Sequence, residues 1–188
     1  MKSAHKVIAV LFIAGCVMSG CKQDKSPTGP SVPDQPPSPT GSGVLRANID
    51  GSPWTAEGTD GNPSGTSSYS GNILHISGVR AIGVDTAGEH ANAETIDLII
   101  NLGGSKANLV PGTYELGSMP TQEGEARYRD AQSIVCYTNG SHTGTVTITA
   151  LDVSSKAVAG TFAFDGIGDN GQTHIVNQGQ FDVTWKQQ

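Results

Sequence analysis

The chain has 188 residues and a formal net charge of −6, with 11 Lys+Arg against 17 Asp+Glu. Charged residues make up 15% and aromatics 5%, while 25 residues are Gly, about twice the usual share. Such a composition excludes a coiled coil, a multi-span membrane protein and a basic nucleic-acid binder, and it favours a Gly- and Thr-rich all-β domain.

The N-terminus reads MKSAHKVIAVLFIAGCVMSGC. Lys2 and Lys6 form a short positive region, Val7 to Val17 is an uncharged apolar run, and small residues then lead into a cysteine. The run is too short to span about 30 Å of hydrocarbon, so residues 1–20 are expected to be a secretory signal. Met18-Ser19-Gly20-Cys21 resembles a bacterial lipobox, the signal that attaches lipid to a cysteine. Ile13-Ala14-Gly15-Cys16 has acceptable residue types too, but it shortens the apolar run and starts the mature chain on Val17-Met18. Cys21 is therefore the favoured lipidation site and Cys16 the alternative. Lys22 follows directly, where an acid is the usual signal for inner-membrane retention, so the outer membrane is the expected address.

Residues 22–43 hold six of the ten prolines and one large apolar side chain, Val32. A stretch of that kind cannot bury enough surface to offset its ordering entropy. The segment 21–43 is expected to be a lipidated, Pro-rich disordered tether. In polyproline II at about 3.1 Å per residue it reaches roughly 70 Å.

Residues 44–188 are expected to be one domain, large enough for a real core. They carry seven Lys/Arg against fifteen Asp/Glu, net −8, which disfavours phosphate backbones and anionic lipid surfaces. Only Cys136 remains there, so no internal disulfide forms. Period-two alternation marks the strands. Ile96, Leu98, Ile100 and Leu102 share one parity; Val146, Ile148 and Ala150 alternate with Thr145, Thr147 and Thr149. Val158, Gly160, Phe162 and Phe164 share a face, as do Phe181, Val183 and Trp185. Weaker candidates are 45–49, 54–56, 73–78, 112–116 and 133–137. Asp50-Gly51, Asn139-Gly140, Asp165-Gly166 and Asn170-Gly171 are turn signals. Residues 121–132 come nearest to a helix, weakened by Gly124, and 57–71 and 83–94 read as long polar loops. About eight to ten short strands predict a largely antiparallel β-sandwich, jelly-roll-like, with a partly closed β-barrel as the alternative.

Ile49-Asp-Gly-Ser-Pro-Trp-Thr-Ala56 resembles the opening hairpin of a group of uncharacterised bacterial lipoprotein domains. Leu109-Val-Pro-Gly-Thr-Tyr-Glu-Leu116, Gly144–Asp152, Val158–Phe164 and Gly179–Val183 are similar to the same group. The shared motifs are turns and strand starts, so the resemblance implies a fold and an address. The group is a domain of unknown function, and no activity or catalytic residue carries over.

Candidate chemistry is sparse. His75, His90, His142 and His174 show no close pairing, so scattered surface histidines are expected rather than a metal site. Asp165-Gly-Ile-Gly-Asp-Asn-Gly171 has the oxygen donors of a calcium loop without the EF-hand spacing, and a plain turn is the expectation. Tyr69 and His90 lie in polar loops where a ligand could meet them. Arg127 and Arg129 share a strand face and could grip a carboxylate, against the simpler reading of surface ion pairs. Trp54 and Trp185 read as core aromatics rather than a sugar platform, and Cys136 as a buried, inert thiol. No cofactor and no catalytic constellation is expected. The leading expectation is a non-catalytic binding or structural module, held to the membrane by its lipid, with a protein or glycan partner. A small-ligand carrier with a barrel cavity is the alternative, and a hydrolase with an unrecognised site comes third.

Overall fold

Eleven strands and no helix make up the described part of the chain. The structure is a computed structural model that describes residues 38–57, 65–70, 73–84, 90–101, 109–119 and 122–187, with backbone alone at 65–70, 84, 90, 91 and 187. The expected signal segment, Cys16, Cys21 and most of the expected tether lie outside the described residues, as do Leu102 and the side chains of Tyr69 and His90.

The strands are β1 Val44–Ile49, β2 Ser52–Thr55, β3 Gly65–Ser70, β4 Ile73–Val84, β5 His90–Asn101 and β6 Gly112–Leu116. They continue as β7 Gly124–Arg129, β8 Val135–Tyr137, β9 Gly144–Asp152, β10 Ala157–Gly168 and β11 Thr173–Gln187. All join one sheet in the order β2-β1-β11-β3-β4-β5-β7-β6-β9-β10-β8, with further pairings β11–β10 and β7–β8. These extra pairings turn the sheet back on itself as a partial ring, where the sandwich and partly closed barrel expectations meet. The sheet is mixed rather than wholly antiparallel: β3 runs parallel to the end of β11, and β6 touches β7 in parallel at Leu116–Gly124.

Turn chemistry sets the local connections. Asp50 and Gly51 join β1 to β2 with φ of 51° and 82°, and Ile49 faces Ser52 across the two-residue loop. Positive φ at both central residues is the hairpin form that suits Asp-Gly. Both ladders of β11 shift near Gln178, which has φ 51°. A bulge bends a strand and increases its twist. This one lets β11 pair with β1 between Val176 and Asp182, with β10 along most of its length, and with β3 at Trp185–Gln187. Gly179 is needed beside it, because a Cβ there would lie 2.6 Å from the Phe162 ring.

The core follows the alternation read from sequence. Ile96, Leu98 and Ile100 have no exposed surface, nor do Val146, Val158 and Val183, and Trp54 keeps 1%. Each large apolar side chain buried this way is worth about 1.5–3 kcal/mol. Gly78 makes room for Trp54: a Cβ there would sit 2.5 Å from Leu45 and 3.2 Å from the indole.

Four expectations need correction. Residues 124–129 form β7, not part of a helix, because Ala126 and Tyr128 face the core while Glu125, Arg127 and Arg129 face outward. The polar stretch 57–71 contains β3, and 83–94 is largely strand, since β4 extends to Val84 and β5 begins at His90. Asp165-Gly166 lies inside β10 rather than in a turn, paired with Ile175 and His174.

Candidate functional site

Two open grooves flank the β8–β9 loop. That loop is braced by Asn139, whose Oδ1 accepts the N–H groups of Ser141 at 2.8 Å and His142 at 2.9 Å. The Asn139 N–H donates in turn to the His142 carbonyl at 2.6 Å. This side-chain-to-backbone mimicry of a turn is what favours Asn at such a position.

The first groove has a volume of about 700 Å³, within the usual range of ligand sites, and is lined among others by Arg127, Ser133, Tyr137, Asn139, Asp169 and Asn170. Four separate segments supply them. Arg127 and Tyr137 are register partners on β7 and β8. The Tyr137 hydroxyl donates to Asp169 Oδ1 at 2.8 Å, tying β8 to the β10–β11 turn. That bond and the carboxylate's charge push the phenol's pKa up. Arg127 is hydrogen-bonded to Glu125. On the rim, Ser133 holds φ 66° in the β7–β8 turn. Asp130 secures that turn by accepting the N–H groups of Gln132 at 2.9 Å and Ile134 at 2.8 Å.

The second groove, about 620 Å³, lies against β9, β10 and β11. Phe164 and Val176 line it, and Ile175 leaves 57% of its surface exposed there. His142 Nδ1 lies 2.7 Å from Asp165 Oδ2. An ionised carboxylate only accepts, so Nδ1 carries the proton. The Thr143 N–H fixes the other carboxylate oxygen at 3.2 Å. Glu115, Thr145, Thr173 and Asn177 complete the polar lining.

Behind the grooves runs a half-buried polar seam. His174 Nδ1 donates to Asp50 Oδ2 at 2.6 Å, and its Nε2 accepts from Gln172 Nε2 at 2.7 Å. Gln172 Nε2 also reaches Asp130 Oδ2 at 3.4 Å, and the Tyr128 ring stands edge-on to His174 at 5.0 Å. Burial raises the Tyr128 hydroxyl's pKa, and the Glu94 carboxylate beside it raises it further. Glu94 is itself paired with Arg80. Burial also pushes Asp50 up, but the Ile175 N–H and His174 outweigh it and leave the carboxyl below its ordinary value. With both ring nitrogens held by the protein, His174 fastens three segments together and has no lone pair left for a substrate.

The sequence candidates fall out as follows. Arg127 lines the first groove, while Arg129 shares its face without joining that lining. The calcium-loop residues are split between the grooves, Asp165 in one and Asp169 and Asn170 in the other, so they do not converge on one ion. Among the described residues no group of three or more His, Cys, Asp or Glu is placed to hold a metal. His75 sits on the outer face against Asp97 at 3.0 Å, as its parity implied. His174 is not a surface histidine, with 13% of its side chain exposed. Trp54, Trp185 and Cys136 are buried. Sequence reasoning passed over Tyr137 and Gln172 and read Asn139 only as a turn residue. Parity gave one available signal: Tyr137 sits opposite to the buried Cys136 and so faces out.

Fold and grooves together define an all-β module with two solvent-open clefts of mixed polar and apolar lining around one braced loop. The chain belongs to the family described as Domain of unknown function (DUF6252), whose match covers residues 41–183. No curated protein and no solved structure matches the chain.

Proposed function

We propose that this chain is a lipoprotein of the bacterial envelope, anchored through Cys21 in the outer membrane, whose domain is a non-catalytic module for binding a polar ligand. Support for the address comes from the charged start, apolar run and lipobox-like Met18-Ser19-Gly20-Cys21. One observation carries the binding role: side chains from four separate segments converge on the Arg127–Tyr137–Asp169 groove, which the ring of pairings itself holds open. A carrier with its cargo inside the sheet fits less well, because Trp54, Tyr114, Leu98 and Ile148 fill the interior.

Two experiments test this. Cys21→Ala is expected to move the protein from the membrane fraction to the soluble one; continued acylation of that variant would identify Cys16 as the anchor. A screen of small polar compounds by thermal shift is expected to give hits that Tyr137→Ala abolishes. The absence of any hit sensitive to Tyr137→Ala refutes the binding role.

A further inference from the structure

The two grooves are walled by the same pair of segments. Asn139 and His142, three residues apart in the braced loop, line different grooves, and so do Asp169 and Asp165 on the β10–β11 hairpin. The loop is thus a fixed low ridge with a cleft on either side. Three of the four carboxylates that line the clefts are hydrogen-bonded within the protein, and Glu115 is the fourth. Asp169 accepts Tyr137, Asp165 accepts His142, and Glu125 is paired with Arg127. A ligand there would meet the hydroxyls of Ser133, Thr145 and Thr173, the Asn177 amide and the Tyr137 ring. Beside them lies apolar surface from Met119, Val135, Phe164 and the exposed Ile175. Such a lining suits a ligand that is uncharged, dense in hydroxyls and faced with C–H surface that an aromatic ring can cover. The domain's net charge of −8 discourages an anionic polymer. A basic peptide would need several free carboxylates, and of the clefts' four only Glu115 is outside these pairings.

We propose that the two clefts form one elongated site for a neutral oligosaccharide, which crosses the Asn139–His142 ridge. This rests on the binding-module reading and names its ligand class.

The experiment uses the full-length chain in detergent, titrated calorimetrically. The probes are hexasaccharides and disaccharides of β-1,4-glucose, α-1,4-glucose, xylose, mannose and N-acetylglucosamine, with hexalysine and hexagalacturonate as charged competitors. Two variants block one cleft each: Tyr137→Ala removes the aromatic surface, and Thr173→Arg fills the other cleft from an exposed position. Circular dichroism and the unfolding midpoint confirm that both fold, and Tyr137→Phe keeps the ring should Tyr137→Ala not. At least one neutral hexasaccharide is expected to bind tenfold or more tightly than its disaccharide, and each variant to weaken it at least tenfold. The disaccharide is expected to respond to only one of them. Failure of every neutral hexasaccharide, tighter binding of either charged hexamer, or a Thr173→Arg protein within twofold of wild type overturns the proposal. If small polar hits remain sensitive to Tyr137→Ala while all hexasaccharides fail, the binding module stands and its glycan does not.

Discussion

Gly160 lies on the core face of β10, paired with Ile148 on one side and Phe181 on the other. A Cβ there would press on the Thr147 carbonyl oxygen and lie 2.5 Å from Phe181 Cζ and 2.9 Å from Cε1. The ring can yield by rotating, but it is packed near Phe162 at 6.4 Å. The carbonyl belongs to the β9–β10 ladder and moves only if that ladder distorts. Overpacking of this kind costs about 3 kcal/mol at the upper end of the usual range. Replacing a strand Gly with Ala returns about 0.5–1 kcal/mol of backbone preference. The net expectation for Gly160→Ala is a loss of about 2 kcal/mol. For a domain this size that lowers the thermal midpoint by about 6 °C, and the urea midpoint by about 1 M for a slope near 2 kcal/mol per M. Urea titration followed by tryptophan emission reads it directly, since Trp54 and Trp185 are both buried. Gly140→Ala is the control: it meets nothing within 4 Å and should stay within about 0.5 kcal/mol of wild type. A Gly160→Ala protein as stable as wild type would refute the claim that this glycine is fixed by close packing.

Arg80→Met strips the partner from the mostly buried Glu94 and is expected to cost about 2 kcal/mol, discounted for Arg80's 30% side-chain exposure. An unchanged urea midpoint would contradict that. Burial raises the Asp182 carboxyl, but hydrogen bonds from the Thr40 hydroxyl and the Gly41 and Thr40 N–H groups prevail and hold it below 3.8. Its contribution to stability is therefore complete above pH 3.8 and disappears as the pH falls through the lowered native value. Asp182→Asn should be less stable than wild type at pH 7, with the gap closing as the pH falls below 3.8; a gap constant with pH would show that the charge plays no part. Burial, then the charges of Asp130 and Asp50, raise the Cys136 thiol. A thiol reagent at pH 8 should label it only as fast as the domain unfolds, and rapid native labelling would contradict its placement.

Much of the fold was legible because period-two alternation reports burial directly. The sets around Ile96, Val146, Val158 and Phe181 face inward as read. The failures have physical causes. In β7 the inward residues are Ala126 and Tyr128, one too small and one too polar to stand out, while Glu, Ala and Arg carry helix preference that the sheet overrides. In β3, Gly65–Ser70 has no apolar alternation, and its place depends on β4 and the end of β11 rather than on its own side chains. Asp165-Gly166 has turn chemistry, yet its ladder partners on β11 keep it extended. The site was less readable still. Arg127 and Tyr137 meet through the β7–β8 pairing, and Asp169, 32 residues beyond Tyr137, joins them only through the return of β10. His174 looked ordinary because its partners, Asp50 and Asp130, come from distant turns.

The Asp182 latch has a mechanical corollary. Thr40 and Gly41 are moored to β11, which lies between β1 and β10 at this point, and Gly43 donates to the Asp182 carbonyl at 2.8 Å. Under the proposed anchoring, a pull on the N-terminal side along the strand axis first loads this mooring and then shears the β1–β11 ladder. Ladders loaded in shear share force among many hydrogen bonds at once, whereas peeling breaks them singly. On that reading, the point where the proposed tether meets the domain is suited to resisting a tug.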